Sequence, residues 1–107
     1  LKQLKGGGYP ERTRQNVVDS DGTVIIYFDG LSGGTKLTHD YCIAELKPHL
    51  LIDGAKNDLD SAVFVLNDFI NTNNIRKLNV AGPRASKDSR VYEYSYTIIS
   101  KLLTSLT

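Results

Sequence analysis

A single short stretch, Val24-Ile25-Ile26-Tyr27-Phe28, constrains this chain more than any other. It is continuously apolar, rich in β-branched and aromatic residues, and closed on both sides by turn formers (Asp19-Ser20-Asp21-Gly22 before it, Asp29-Gly30 after it). An amphipathic surface strand alternates polar and apolar residues. A run without alternation belongs to a strand covered on both faces, as in a parallel sheet. Two further short runs repeat the theme, His49–Asp53 and Lys77–Ala81. Between and around them lie stretches with helical spacing. The clearest spans Asp58 to Asn71, where Leu59, Ala62, Val63, Leu66, Phe69 and Ile70 mark one face. Weaker helices are expected over Glu11–Asp19 and about Leu37–Leu46, the latter stopped by Pro48. A C-terminal helix is marked by Val91, Tyr94, Ile98 and Leu102. Strands alternating with helices over short connections predict right-handed βαβ units, hence an α/β fold with a parallel sheet flanked by helices on both faces.

With 107 residues the chain suits one domain with one core, the first ten residues, ending Gly6-Gly7-Gly8-Tyr9-Pro10, being read as a flexible loop or linker. Three strands make a thin sheet with an open edge. Such a chain either lacks an N-terminal βαβ unit or pairs with another copy, and a homo-oligomer is the expectation. A formal net charge of +1 with scattered basic residues argues against a nucleic-acid partner. No apolar run reaches the length of a membrane span and nothing resembles a leader, so the expected location is cytoplasmic. The single cysteine, Cys42, next to Ile43 and Ala44, reads as a buried thiol in a reducing compartment.

In an open parallel sheet, ligands bind outside the carboxyl ends of the strands. Two loops fall there. Ser32-Gly33-Gly34-Thr35 lets backbone amides approach an anion at the start of a helix, with Thr35 and Thr38 adding hydroxyls; the same glycines also suit a plain tight turn. Gly82-Pro83-Arg84-Ala85-Ser86 offers Arg84 for a phosphate or carboxylate and, equally, for a surface salt bridge. Ser86 or Ser89 would cap the following helix, and Ser86 could instead bond the same anion. A third group precedes the first strand: Arg12, Thr13 and Asn16, with Arg12 and Asn16 on one helical face, then Ser20, read chiefly as a turn closer, and Asp21. His39 and His49 lack a cysteine or carboxylate at ligand spacing, so no metal site is expected. The run Tyr92-Glu93-Tyr94-Ser95-Tyr96 is read as core and rim packing.

These blocks occur together. Arg12-Thr13-x-x-Asn16-Val17-x-Asp19-Ser20-Asp21-Gly22-Thr23, then Gly33-Gly34-Thr35-x-x-Thr38, then Leu78-Asn79-Val80-Ala81-Gly82-Pro83-Arg84-x-Ser86 resemble the putative molybdenum carrier family, from about Tyr9 to the last helix. The resemblance implies a Rossmann-like fold related to the lysine-decarboxylase-like group, whose phosphoribohydrolases release a base from a nucleoside monophosphate. In those enzymes an arginine nine positions before a strand-opening aspartate is followed by a Pro-Gly-Gly-x-Gly-Thr-x-x-Glu loop. Arg12 and Asp21 keep the spacing. The loop departs: Ser32 stands for the proline, Lys36 for a glycine, Leu37 for the threonine and Asp40 for the catalytic glutamate. A carboxylate at Asp40 could act as a base or hold a ribose hydroxyl. The resemblance further implies an additional N-terminal strand with its own glycine-rich loop, a segment expected before Leu1.

Three functions follow as expectations. The first is a binding or carrier protein without catalytic activity, in which Arg12, Thr13, Asn16, Asp21, Gly33, Gly34, Thr35, Thr38, Gly82, Arg84 and Ser86 hold a small phosphorylated ligand, a nucleotide or, as the resemblance implies, the molybdenum cofactor (molybdopterin) as cargo. The second is a nucleoside-monophosphate N-glycosidase using Asp40 and Arg12. The third is a scaffold that binds no ligand.

Overall fold

A computed structural model describes residues 8–28, 30–31, 33–82 and 89–106. The elements follow the order α1 (Gly8–Asp19), β1 (Gly22–Tyr27), α2 (Gly33–Ala44), β2 (His49–Asp53), α3 (Leu59–Thr72), β3 (Leu78–Ala81) and α4 (Ser89–Leu106). The three strands form one parallel sheet in the order β2-β1-β3, with Thr23 beside His49 and Asn79, and Val24 beside Leu50 and Val80.

The order explains the layering. The β1–α2–β2 crossover steps one way along the sheet, and β2–α3–β3 steps back past β1 to its far side. Two right-handed crossovers in opposite directions must put their helices on opposite faces. α1 and α2 accordingly pack together on one face, and α3 and α4 on the other. The second face holds the larger core: Val24, Ile26, Ile52, Ala62, Leu66, Ile98 and Leu102 are buried in one cluster. On the first face lie Thr23 and Ile25 of β1, Val17 of α1 and Cys42 of α2, all fully buried. Alternate residues of β1 thus serve opposite cores. No helix among the described residues is long and apolar enough to cross a membrane.

Helix bounds differ from the expectation at two N-termini. α1 begins at Gly8, so Gly8-Tyr9-Pro10 form its opening turn, where a proline loses no intrahelical hydrogen bond. Residues 1–7 lie outside the described residues. α2 begins at Gly33 rather than near Leu37, making Gly33-Gly34-Thr35 the first turn of the helix itself. α3 starts where Asp58 caps it, the carboxylate accepting the Ser61 amide at 2.8 Å. β1 starts two residues before the apolar run, at Gly22, where any Cβ would overlap Ile75 and crowd Phe69.

At the far end of α2, Leu46 closes the helix with φ +55° and stands 91% exposed, while the Lys47 amide reaches back to the Cys42 carbonyl at 3.0 Å. The left-handed conformation costs a leucine roughly 1–2 kcal/mol that a glycine avoids. Leu46→Gly should therefore raise the denaturant midpoint, by about 1 kcal/mol in unfolding free energy. Leu66→Ala, emptying the core between α3 and the sheet, should lower it by about 2–5 kcal/mol.

Candidate functional site

The connectivity creates one crevice. After β1 the chain leaves toward α2 on one face; after β3, the adjacent strand, it leaves toward α4 on the other. Their carboxyl ends are neighbours, Ile25 lying beside Ala81, so Gly82 follows next to Ile26, near the end of β1. Where neighbouring loops part toward opposite faces, an opening is left above the sheet, and open α/β folds bind ligands there.

Helix α2 points its N-terminus at this opening. The first amides of a helix have no partner within it and carry the positive end of its dipole. Gly33 supplies the bend into the helix with φ +50°, and Gly30, in the preceding connection, has φ +110°. Both values favour glycine, and at Gly33 the missing side chain also leaves the amides bare to an approaching anion. The two threonines of this turn have a different part. Thr35 and Thr38 are buried, and the Thr38 hydroxyl donates to the Gly34 carbonyl at 2.9 Å, fixing the first turn from inside.

Phe28, just past β1, meets Tyr94 of α4 edge-on, with ring centroids 5.5 Å apart at 80°. The Tyr94 hydroxyl donates to the Asn57 carbonyl at 2.7 Å, and Gly54 gives the Phe28 ring its space, since a Cβ there would overlap it. Burial pushes the Tyr94 phenol above its usual range, with the Asp58 and Asp53 charges adding to the effect, so it stays a neutral donor.

The other end of the sheet is closed by Asp21. Its Oδ2 accepts the amides of Arg76 and Lys77, each at 2.9 Å, while its own amide donates to the Lys77 carbonyl at 2.8 Å. These amide bonds hold its carboxyl below the ordinary carboxylate range. Ser20 donates to the Val17 carbonyl at 3.0 Å, and the Lys47 ammonium caps the Ser20 carbonyl at 2.9 Å.

The residues expected to share a ligand are thus separated. Gly33, Gly34 and Gly82 lie at the carboxyl edge. Asp21 lies at the amino edge, a six-residue strand away, roughly 20 Å at 3.3 Å per residue. Its carboxylate ties β1 to β3. Arg12 and Asn16 are exposed on α1; Arg12 lines a shallow cavity of about 210 Å³ with Glu11, Arg14 and Gln15, and Thr13 is half-buried. Nearby, Arg14 pairs with Glu45 at 2.9 Å, fastening α1 to the end of α2. Asp40 is on the face of α2 opposite Thr35, Thr38 and Cys42, paired with Lys36 at 3.6 Å and more than half exposed. Arg84 and Ser86 lie outside the described residues. Cavities of about 460 and 600 Å³ in the groove between α3 and α4 share Asp60 and Lys101; the larger adds Asp58, and two carboxylates suit an anion poorly.

Sequence reasoning missed one contact. His39 of α2 and His49 of β2 meet edge-on at 5.1 Å, ten positions apart on different elements, a pairing that only the α2–β2 packing reveals. No group of three metal-ligating side chains occurs among the described residues. Cys42 is buried; desolvation raises its thiol, and a hydrogen bond with Thr23 partly offsets this.

Comparison with known proteins adds two findings. The family described as circularly permutated YpsA SLOG matches residues 1–103. The crystal structure of a protein named putative molybdenum carrier protein from Syntrophus aciditrophicus superposes with a TM-score of 0.88 at 36% identity, covering 94% of this chain. The chain spans 63% of that protein's length. Among curated proteins none matches.

The Asp21 staple yields a pH signature. A carboxyl whose folded pKa is lowered contributes stability above its ordinary value, near 3.8, and loses it as the pH falls through the folded value. Asp21→Ala should melt below wild type at neutral pH, and the gap should close under acid, below about pH 3.8. A gap unchanged from pH 7 to pH 2 would remove the carboxylate from the account.

Proposed function

Because the chain belongs to the circularly permutated YpsA SLOG family, we propose that it is a ligand-binding protein holding the phosphate of a nucleotide or of a pterin cofactor in the crevice between β1 and β3. The observation that carries this reading is the pairing of two features at one place. The divergence of the chain after adjacent strands leaves an opening, and α2, bent in through Gly33, opens on the Gly33 and Gly34 amides, which no carbonyl within the helix takes. Arg84, three positions after Ala81 in the sequence, supplies the counter-charge in this reading. The name of the structurally similar protein from Syntrophus aciditrophicus speaks for molybdenum-related cargo, and a molybdopterin carries the phosphate this seat would take.

Hydrolysis of a nucleoside monophosphate fits the geometry less well. It would need Asp40 as the base, yet Asp40 sits on the solvent face of α2 in a pair with Lys36. An assay for release of free base should give no turnover with wild type, and Asp40→Asn should leave ligand binding unchanged.

The direct test is a thermal-shift screen against phosphate, molybdate, nucleoside monophosphates and a pterin. A ligand at one hundred times its dissociation constant should stabilise the fold by about 2.7 kcal/mol. Two variants then locate the seat. Gly34→Asp places a carboxylate in the first turn of α2, so it should stabilise the helix by about 0.3–1 kcal/mol while repelling the anion. Stability and affinity moving in opposite directions is the expected sign. Arg84→Ala should weaken binding by about 1.5–3 kcal/mol if its guanidinium bonds the phosphate; unchanged affinity in both variants would remove the crevice from the site.

A further inference from the structure

Strand β2 lies at the edge of the sheet, and its backbone directions are fixed by two bonds. The Pro48 carbonyl accepts the Thr23 amide at 3.0 Å, and the Gly54 amide donates to the Tyr27 carbonyl at 2.7 Å. Residues 48, 50, 52 and 54 therefore address β1. By alternation, the main-chain groups of His49, Leu51 and Asp53 face away from the sheet. The Asp53 carbonyl is already engaged by the Lys56 and Asn57 amides, each at 3.0 Å. The remaining outward groups are an edge ready for pairing. Natural edges are blunted by lysine, proline or a bulge, and His49–Asp53 holds no lysine or proline and keeps an unbroken register with β1.

The apolar surface around this edge points the same way. Leu51, at the middle of the strand, is 38% exposed; Ile43 and Leu46 at the end of α2 are 54% and 91% exposed. On the other face α3 meets α4 through Asp60 and Val63, and Val65, 200° further round the helix from Val63, is turned away from α4. Leu46 is the most telling of these. It is a large apolar side chain in a left-handed conformation that contributes nothing to its own core.

We propose that β2 is a homodimer interface, in which two copies pair their β2 strands antiparallel across a two-fold axis to form a continuous six-stranded sheet. The strand itself names a second copy as the occupant, because its sequence is self-complementary under that axis. With Leu51 opposite Leu51 of the second copy, Leu50 faces Ile52, and His49 faces Asp53, a ring N–H donor against a carboxylate at each end of an apolar centre. The same register pairs the outward main-chain groups. Leu51 exchanges both its hydrogen bonds with its symmetry mate, and the His49 carbonyl receives the Asp53 amide at each end. A closed two-fold contact of this kind places one patch against itself, and a residue on the axis meets its own copy. The proposal is independent of the ligand, whose crevice lies above β1 and β3.

That self-meeting residue gives the test. Sedimentation of the wild type should show twice the 11.8 kDa chain mass. Leu51→Lys and Leu51→Glu should each halve the apparent mass, because like charges would oppose one another across the axis. Both should keep the wild-type circular dichroism, since position 51 is half-open to solvent in the single chain. An equimolar mixture of L51K with L51E should restore the doubled mass, lysine meeting glutamate on the axis. Val80→Lys, on the opposite edge strand, should leave the dimer intact. A monomeric wild type, a dimeric L51K, a V80K variant that dissociates, or a mixture that stays monomeric would each overturn the proposal.

Discussion

Strand β1 is hydrogen-bonded on both edges and covered on both faces, with Gly22 through Ile26 all buried, and the remaining elements are arranged around that fact. A strand in this position needs a parallel neighbour on each side and a helical layer above and below. Handed crossovers then leave little choice: α2 must take one face and α3 the other. The opening above β1 and β3 is a consequence of the same arrangement, because α2 and α4 depart from adjacent strands toward opposite layers. The site reading therefore depends on topology first and on side chains second.

The two ends of the sheet have divided tasks. At the amino end, polar groups are spent on the chain itself: Asp21 binds two amides, Lys47 a carbonyl, and Ser20 the last turn of α1. At the carboxyl end, the Gly33 and Gly34 amides that open α2 have no carbonyl within the helix to bond, and the proposed ligand seat is built on them. An aspartate and a glycine turn in similar sequence surroundings have opposite meanings, and only their place along β1 separates them.

Much of this was legible in the sequence. The second strand was readable to the residue, His49–Asp53, and α3 to within one residue at each end, because an apolar run and a 3.6-residue repeat are strong local signals. Both glycine-rich helix starts were read as loop, since low helix propensity dominates a local reading. The structure takes Gly8, Gly33 and Gly34 into first turns, where main-chain bonds are not yet required. Asp21 was grouped with the ligand residues for a comparable reason. Its partners are 55 and 56 positions away, and no local pattern announces them. The outward face of β2 was foreseen only as an unspecified open edge; its register needed the strand pairing. Membership of the SLOG family and the fold of the Syntrophus aciditrophicus protein agree with this architecture, and that protein extends beyond the part that this chain matches.

The central claim is that the seat for a ligand lies where β1 and β3 part. Amide chemical shifts of ¹⁵N-labelled protein, titrated with a phosphorylated ligand that raises the melting temperature, test it residue by residue. The account predicts that the largest shifts fall on Gly33, Gly34, Thr35 and Gly82, with the amides of Arg76 and Lys77 at the Asp21 staple unmoved. Shifts centred instead on Arg12 and its neighbours in α1, or on the groove between α3 and α4, would contradict it.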